Sequence, residues 1–216
     1  MLKVQEFEFN MLPVNTFVIY DETLEAAIID PGCYFPGEAQ QLKEFVETNR
    51  LTVKYILNTH LHFDHIFGNP DAEDMFGLRA KASSRDSQWL QEIGQRVGRF
   101  GIRYSRTVRP IMPENIIDEG DIIRFGNTEI EIFSVPGHSP GSLVFYSRKD
   151  GILFSGDALF QGSIGRTDFE DGDPAALPVA IREKLFTLPD STAVYPGHGP
   201  ATTIGMEKRY NPYIQA

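Results

Sequence analysis

The amino-acid sequence predicts an α/β protein, a four-layered αβ/βα sandwich of two mixed β-sheets with helices outside. Two observations carry that expectation. Short apolar or alternating runs recur in blocks of two to four, and segments of helical periodicity separate the blocks. Each element must bury its apolar face against another layer, and two sheets face to face with helices on both outer surfaces meet that need. The 216 residues are expected to form one domain, 1–216, because a chain of this length buries roughly 70% of its unfolded surface. No repeat, linker or low-complexity tract divides it.

In chain order, residues 4–9, 16–20 and 26–30 read as strands. Residues 37–48 follow as a helix with Leu42, Phe45 and Val46 on one face. Residues 53–58 form the next strand, and 84–93 have helical periodicity. Four strands come next, at 122–125, 129–135, 143–146 and 152–155. In 174–187, Leu177, Ala180, Ile181, Lys184 and Leu185 recur at steps of 3, 1, 3 and 1 after an Asp-Pro start. Proline suits the first turn of a helix, where its missing N–H costs nothing. Residues 193–195 close the set as a strand.

Composition excludes several classes. With 41% hydrophobic and 23% charged residues, and Gly and Pro spread along the chain, the sequence is neither collagen-like, disordered nor coiled coil. The longest apolar runs are four residues, against about 20 for a membrane-spanning helix, so no membrane partner is expected. The start, MLKVQEFEFN, lacks the apolar stretch of a secretory signal, which points to the cytoplasm. Cys33 is the only cysteine, so no internal disulfide forms. A net charge of −10 argues against nucleic acid, whose binding needs a basic face. Nothing in the pattern bears on self-association.

The five histidines are the most informative feature. His60, His62 and His65, with Asp64, crowd into six residues, and neutral imidazole plus carboxylate suits a borderline divalent metal. His60 to His65 follow one expected strand, His138 another, Asp157 a third and His198 a fourth. Strand ends on one sheet edge can converge on a single crevice, and Gly137, Gly156 and Gly197 permit tight turns there.

HLHFDH, PGHSPGS, SGDALF and YPGHGP, in this order, resemble the metallo-β-lactamase fold family. GSIGRTD at 162–168 and GHGPATTIG at 197–205, with Asn211-Pro212, resemble its short glyoxalase II type, the hydroxyacylglutathione hydrolases. The resemblance implies a first metal on His60, His62 and His138, a second on Asp64, His65 and His198, and Asp157 bridging both. It implies two divalent ions per chain, zinc by preference, with iron and manganese as the other candidates. A pair of such ions brings a bridging water near neutral pKa, so the hydroxide attacks a thioester carbonyl and no protein nucleophile is required. The substrate implied is a small anionic thioester of the hydroxyacylglutathione type. Asp64, besides ligating, is the catalytic residue that orients the hydroxide.

A second enzyme of the fold also resembles the GRTDF stretch: a persulfide dioxygenase with one non-haem iron on His60, His138 and Asp157. Metal stoichiometry and oxygen demand separate the two. A non-catalytic binding module is disfavoured because none of the seven ligands is missing.

Three further features stay open between bland and functional readings. Asp30 either only shapes the turn Asp30-Pro31-Gly32 or holds a ligand histidine by its free ring N–H. Arg166 either makes a surface salt bridge or clamps a substrate carboxylate. Arg96, Arg99, Arg103, Arg106 and Arg109 recur at steps of 3, 4, 3 and 3, as a solvated face or as a rim that attracts an anionic substrate. Gly98 and Gly101 argue against one continuous helix there.

Overall fold

The computed structural model describes residues 1–91 and 93–214 and arranges them around two mixed sheets. The first sheet contains β1 (Lys3–Phe9), β2 (Val14–Tyr20), β3 (Glu25–Ile29), β4 (Thr52–Leu57) and β5 (Ala80–Lys81), in that spatial order. Its first three strands are antiparallel, while β3, β4 and β5 run parallel. The second sheet holds β6 (Ile122–Phe125), β7 (Thr128–Ser134), β8 (Leu143–Ser147) and β9 (Ile152–Gly156). A ribbon of β10 (Leu159–Phe160) and β11 (Ser163–Ile164) follows, before β12 (Ala193–Pro196) and β13 (Thr202–Thr203) complete the second sheet. Its order is β13-β12-β9-β8-β7-β6, with β12 and β9 parallel and the other neighbours antiparallel.

Side-chain alternation explains the layering. Phe17, Ile19, Ala27 and Ile29 of the first sheet meet Ile130, Ile132, Leu143, Phe145 and Phe154 of the second in one buried layer. Their neighbours in sequence point the other way. Val18, Ala26 and Ile28 pack under Leu42 and Val46 of α1 (Glu38–Thr48). Val144, Tyr146 and Leu153 pack under Leu177, Ile181 and Leu185 and under Ile204 of the carboxyl-terminal helix. With a period of two along each strand, both faces of each sheet are buried, and the four layers follow.

All nine expected strands form, within two residues of their expected bounds. The helical segments need correction. Over 84–93 the chain makes a 3-10 helix, Ser84–Leu90, and a separate α4 begins at Ile93 and ends at Gly98; Glu92 lies outside the described residues. Over 174–187, α5 (Ala176–Ala180) widens into a π-helical turn, Ile181–Leu185. Asp173 caps its start, accepting the N–H groups of Ala175 and Ala176. Three helices were not anticipated: α2 (Phe63–Ile66), α3 (Asn69–Phe76) and α6 (Ile204–Tyr210). The first is a single turn, too short for periodicity to register. No helix among the described residues is long and apolar enough to cross a membrane.

Phe154 is fully buried between the sheets, its ring centroid 5.1 Å from Phe17 and 5.6 Å from Tyr195. Phe154→Ala should therefore cost about 3–5 kcal/mol, read as a lowered urea midpoint.

Candidate metal centre

The parallel strands position the site. β3 and β4 run the same way in one sheet, as do β7, β9 and β12 in the other, and the turns after their carboxyl ends meet. Residues 59–62 leave β4 extended before the single turn of α2, which carries Asp64 and His65. The turn after β7 supplies His138, the one after β9 Asp157, and the one after β12 His198.

All seven sequence-predicted ligands come together. One ligand atom from each of His60, His62 and His138 lies within 4.8 Å of the others, and the same holds for Asp64, His65 and His198. Asp157 stands between the sets. Its Oδ1 is 3.3 Å from His65 Nε2, and its Oδ2 is 3.5 Å from His138 Nε2 and 3.6 Å from His198 Nε2.

The outward ring nitrogens are satisfied by the protein. His65 Nδ1–H donates to Asp30 Oδ2 at 2.9 Å, His138 Nδ1–H to the Arg166 carbonyl at 2.8 Å, and His198 Nδ1–H to the Pro13 carbonyl at 2.9 Å. Thr59 Oγ1 donates to Asp30 Oδ2 at 2.6 Å, so it accepts from His60 Nδ1–H at 3.1 Å. The inward atoms are not satisfied. His60 Nε2, His65 Nε2 and Asp157 Oδ1 are buried without a hydrogen-bond partner, and His62 Nδ1 faces His138 Nε2 at 2.9 Å. Lone pairs of imidazole and carboxylate aimed at one another in this way fit divalent cations, with the outer bonds fixing the tautomers.

Sequence reasoning missed two supports. Asp86, on the 3-10 helix, accepts from Leu61 N–H, Ser139 Oγ–H and Gly141 N–H, tying the turn that bears His60 and His62 to the one that bears His138. In the sequence it reads as an ordinary acidic residue in a helix's first turn. Asn15 on β2 donates to the carbonyls of Pro196 and Gly199 and so holds the turn of His198. No local pattern marks it, because its partners are distant in sequence.

The model of the metallo-beta-lactamase superfamily matches residues 10–198. The chain belongs to that superfamily. As a member it is a metal-dependent hydrolase of a group that binds divalent metals. It is 37% identical to hydroxyacylglutathione hydrolase GloC of Haemophilus influenzae, over 95% of this chain and 97% of that one. Among solved structures it is similar to the BLEG-1 B3 metallo-beta-lactamase, with TM-score 0.88 and 35% identity over all of both chains. It is similar also to TTHA1623 in a di-iron-bound form, with TM-score 0.84 and 32% identity over 98% of this chain and 100% of that one. ETHE1 from Myxococcus xanthus follows at TM-score 0.75 and 28% identity, over 97% and 83%.

The centre opens into a cleft of about 1010 Å³ walled by Leu12, Trp89, Ile93, Phe100, Phe160 and Phe169. Arg166 lines it, but the side chain is already engaged. Its Nε and one terminal nitrogen donate to the two oxygens of Asp168 at 2.8 and 2.9 Å, and the guanidinium lies over the Phe169 ring. The Arg166 carbonyl also accepts from His138 Nδ1–H. Cys33 is packed beneath α1, and burial raises its thiol pKa far above the usual range, so it supplies no nucleophile.

Without metal, the imidazoles divide into two kinds. Burial, followed by the neighbouring imidazoles, drives His60 far below its ordinary value; burial and His138 take His62 down to about 3. Burial also opposes charge on His65, yet the carboxylates of Asp157, Asp64 and Asp30 outweigh it and raise that pKa well above 6.5. His198 is raised as well, by Asp64 and Asp157 against burial. Burial disfavours ionisation of Asp64 and Asp157, but the imidazoles of His65 and His198 hold both carboxyls below the usual range.

Two predictions follow from these signs and spacings. Above about pH 6.5 the metal-free native state binds more protons than the unfolded chain, through His65 and His198, so stability falls as pH rises; below it, His60 and His62 make the unfolded chain bind more, so stability falls with pH. Urea midpoints of chelator-treated protein should peak near pH 6.5, and saturating metal should raise them most on the alkaline side, where it displaces fewest protons. At Gly197 a Cβ would collide with Asp157 Oδ1 and with His65 Cε1. Gly197→Ala should therefore lower bound metal per chain, measured by elemental analysis, in protein that keeps its far-UV circular dichroism.

Proposed function

We propose that the chain is a binuclear metallohydrolase that cleaves thioesters, with hydroxyacylglutathione-type compounds as its substrate class. The observation that carries this is the pair of three-residue ligand sets meeting at Asp157 on the floor of one largely apolar cleft. The 37% identity to GloC along nearly the full length of both chains supports the substrate class.

His60, His62 and His138 would hold one cation, Asp64, His65 and His198 the other, and Asp157 both. When bound, two divalent cations lower the pKa of a water and polarise a carbonyl, and zinc, iron and manganese are all compatible with these nitrogen and oxygen donors. The chain's own residues do the positioning. Asp64 Oδ2 is 3.3 Å from His198 Nε2, and Asp64 is the residue we assign to orienting the attacking water. Asp30 fixes His65 directly and His60 through Thr59, so both rings present Nε2 to the cations. Phe160 and Phe169 exclude bulk water from beside the reacting carbonyl.

The likeness to ETHE1 supports a second reading, a persulfide dioxygenase with a single iron on His60, His138 and Asp157. The second ligand set weighs against it. Asp64, His65 and His198 form a second three-residue set beside Asp157, which a single iron on His60, His138 and Asp157 would leave unused.

The purified protein should contain two metal equivalents, hydrolyse a hydroxyacylglutathione in a thioester panel, and consume no oxygen with a persulfide. Asp157→Ala should lose at least one metal equivalent and at least about a hundredfold in turnover together. One iron per chain with oxygen uptake would replace this reading by the second.

A further inference from the structure

The arginine run divides in two. Arg106 pairs with Asp71 at 3.1 Å and donates to the carbonyls of Cys33 and Tyr34, and Arg109 pairs with Glu73 and Asp74. These two tie the 103–109 segment to α3. Arg96 and Arg99 instead line the cleft, and neither has a carboxylate partner among the described residues. The exposed Arg103 lies outside the cleft lining.

Arg96 is also held in place. Its guanidinium carbon lies 3.9 Å from the centroid of Trp89, and Trp89 stands edge-on to the ligand-bearing ring of His62 at 5.3 Å. A cation stacked on an indole keeps its N–H donors free at the rim of the plane. The Nε1–H of Trp89 is itself buried and has no acceptor among the described residues. This wall therefore carries two guanidinium groups and an indole N–H that no acceptor among the described residues satisfies, within two ring contacts of the candidate metal centre. The other cleft-lining cation, Arg166, pairs with Asp168, and among the described residues Glu170 is the only carboxylate lining the cleft outside the candidate ligand set.

We propose that Arg96 and Arg99 form an anion subsite that grips a carboxylate at the far end of the substrate, with Trp89 fixing the Arg96 fork. In a chain of net charge −10, an anionic substrate gains most where two positive charges with no carboxylate partner among the described residues stand beside an apolar wall. The proposal deepens the thioester reading and rests on it for the identity of the substrate. It makes Arg96 and Arg99 determinants of selectivity through contact, which is a different role from a steering rim.

Trp89 is the chain's only tryptophan, so its fluorescence reports the subsite without turnover. The metal-loaded protein is titrated with S-methylglutathione and with its diethyl ester, which keeps the ammonium group but has no carboxylate. Wild type should show a saturable change with the acid, and R96Q/R99Q should bind it roughly tenfold to a hundredfold more weakly. R96K/R99K should recover only part of that loss, because a point charge does not reproduce the fork. R103Q removes one charge outside the cleft and should bind like wild type. The ester should bind wild type no more tightly than the acid binds the double variant. Should R96Q/R99Q fail to keep the wild-type melting temperature, the exposed R99Q alone replaces it, with a smaller loss expected.

No saturable change in wild type, binding within twofold in R96Q/R99Q, or an equal loss in R103Q would overturn the subsite. Thioester turnover is measured on the same samples. Intact turnover with the binding pattern absent removes the subsite alone. Absent turnover with the binding pattern present removes the thioester reading and leaves the subsite standing.

Discussion

The imidazole of His65 is held between two carboxylates, Asp30 at its Nδ1 and Asp157 at its Nε2, and the centre depends on that arrangement. His65 is wholly buried, so its charge and orientation are set by those two groups and Asp64, not by water. Asp30 in turn sits in the left-handed region, φ 49°, at the end of β3. Its carbonyl accepts from Thr16 Oγ1, its carboxylate accepts from the N–H and hydroxyl of Thr59, and Gly32 N–H returns a bond to Thr16. A strained backbone position is therefore locked by four hydrogen bonds, which is how unfavourable dihedrals persist beside functional groups.

Bringing five turns together demands close backbone approach. The Leu143 N–H donates to the Thr59 carbonyl at 2.7 Å, joining the two sheets next to the ligands. Gly156 and Gly197 pair through a backbone hydrogen bond of 2.8 Å, and a side chain on Gly156, at φ 50°, would run into Thr59. These glycines leave room for imidazoles where any Cβ would intrude. Asp86 makes the matching link on the other side of the centre, and burial raises its pKa despite the three donors that reach it.

The cleft separates chemistry from recognition. Its floor is made of the candidate ligands, and a fold hosts many activities, so the floor says little about which molecule enters. Selectivity must come from the walls, and these combine aromatic faces with arginines of unequal availability. Arg166 pairs with Asp168, whereas Arg96 and Arg99 have no carboxylate partner among the described residues. The same residue type thus carries two meanings within one pocket, distinguished only by what stands next to it.

Nine of the thirteen strands among the described residues and the layering were legible from period-two alternation, the two-residue strands β5, β10, β11 and β13 being too short to register, and the seven candidate ligands were legible from the histidine clustering and the motifs of the family resemblance. Asp30 was legible as one of two readings, and its carboxylate lies 2.9 Å from Nδ1 of the candidate ligand His65. Asp86 and Asn15 were not legible, since their partners lie 25 to 55 and 181 to 184 residues away and no spacing rule spans such distances. The helices of 63–66, 69–76 and 204–210 escaped because one or two turns carry too little periodicity to stand out. The arginine run shows the limit most plainly. Sequence determined that five cations recur at helical steps, but only tertiary packing decided which meet carboxylates and which line the cleft. Ion pairing depends on distances of a few ångströms between segments that the chain order leaves unrelated.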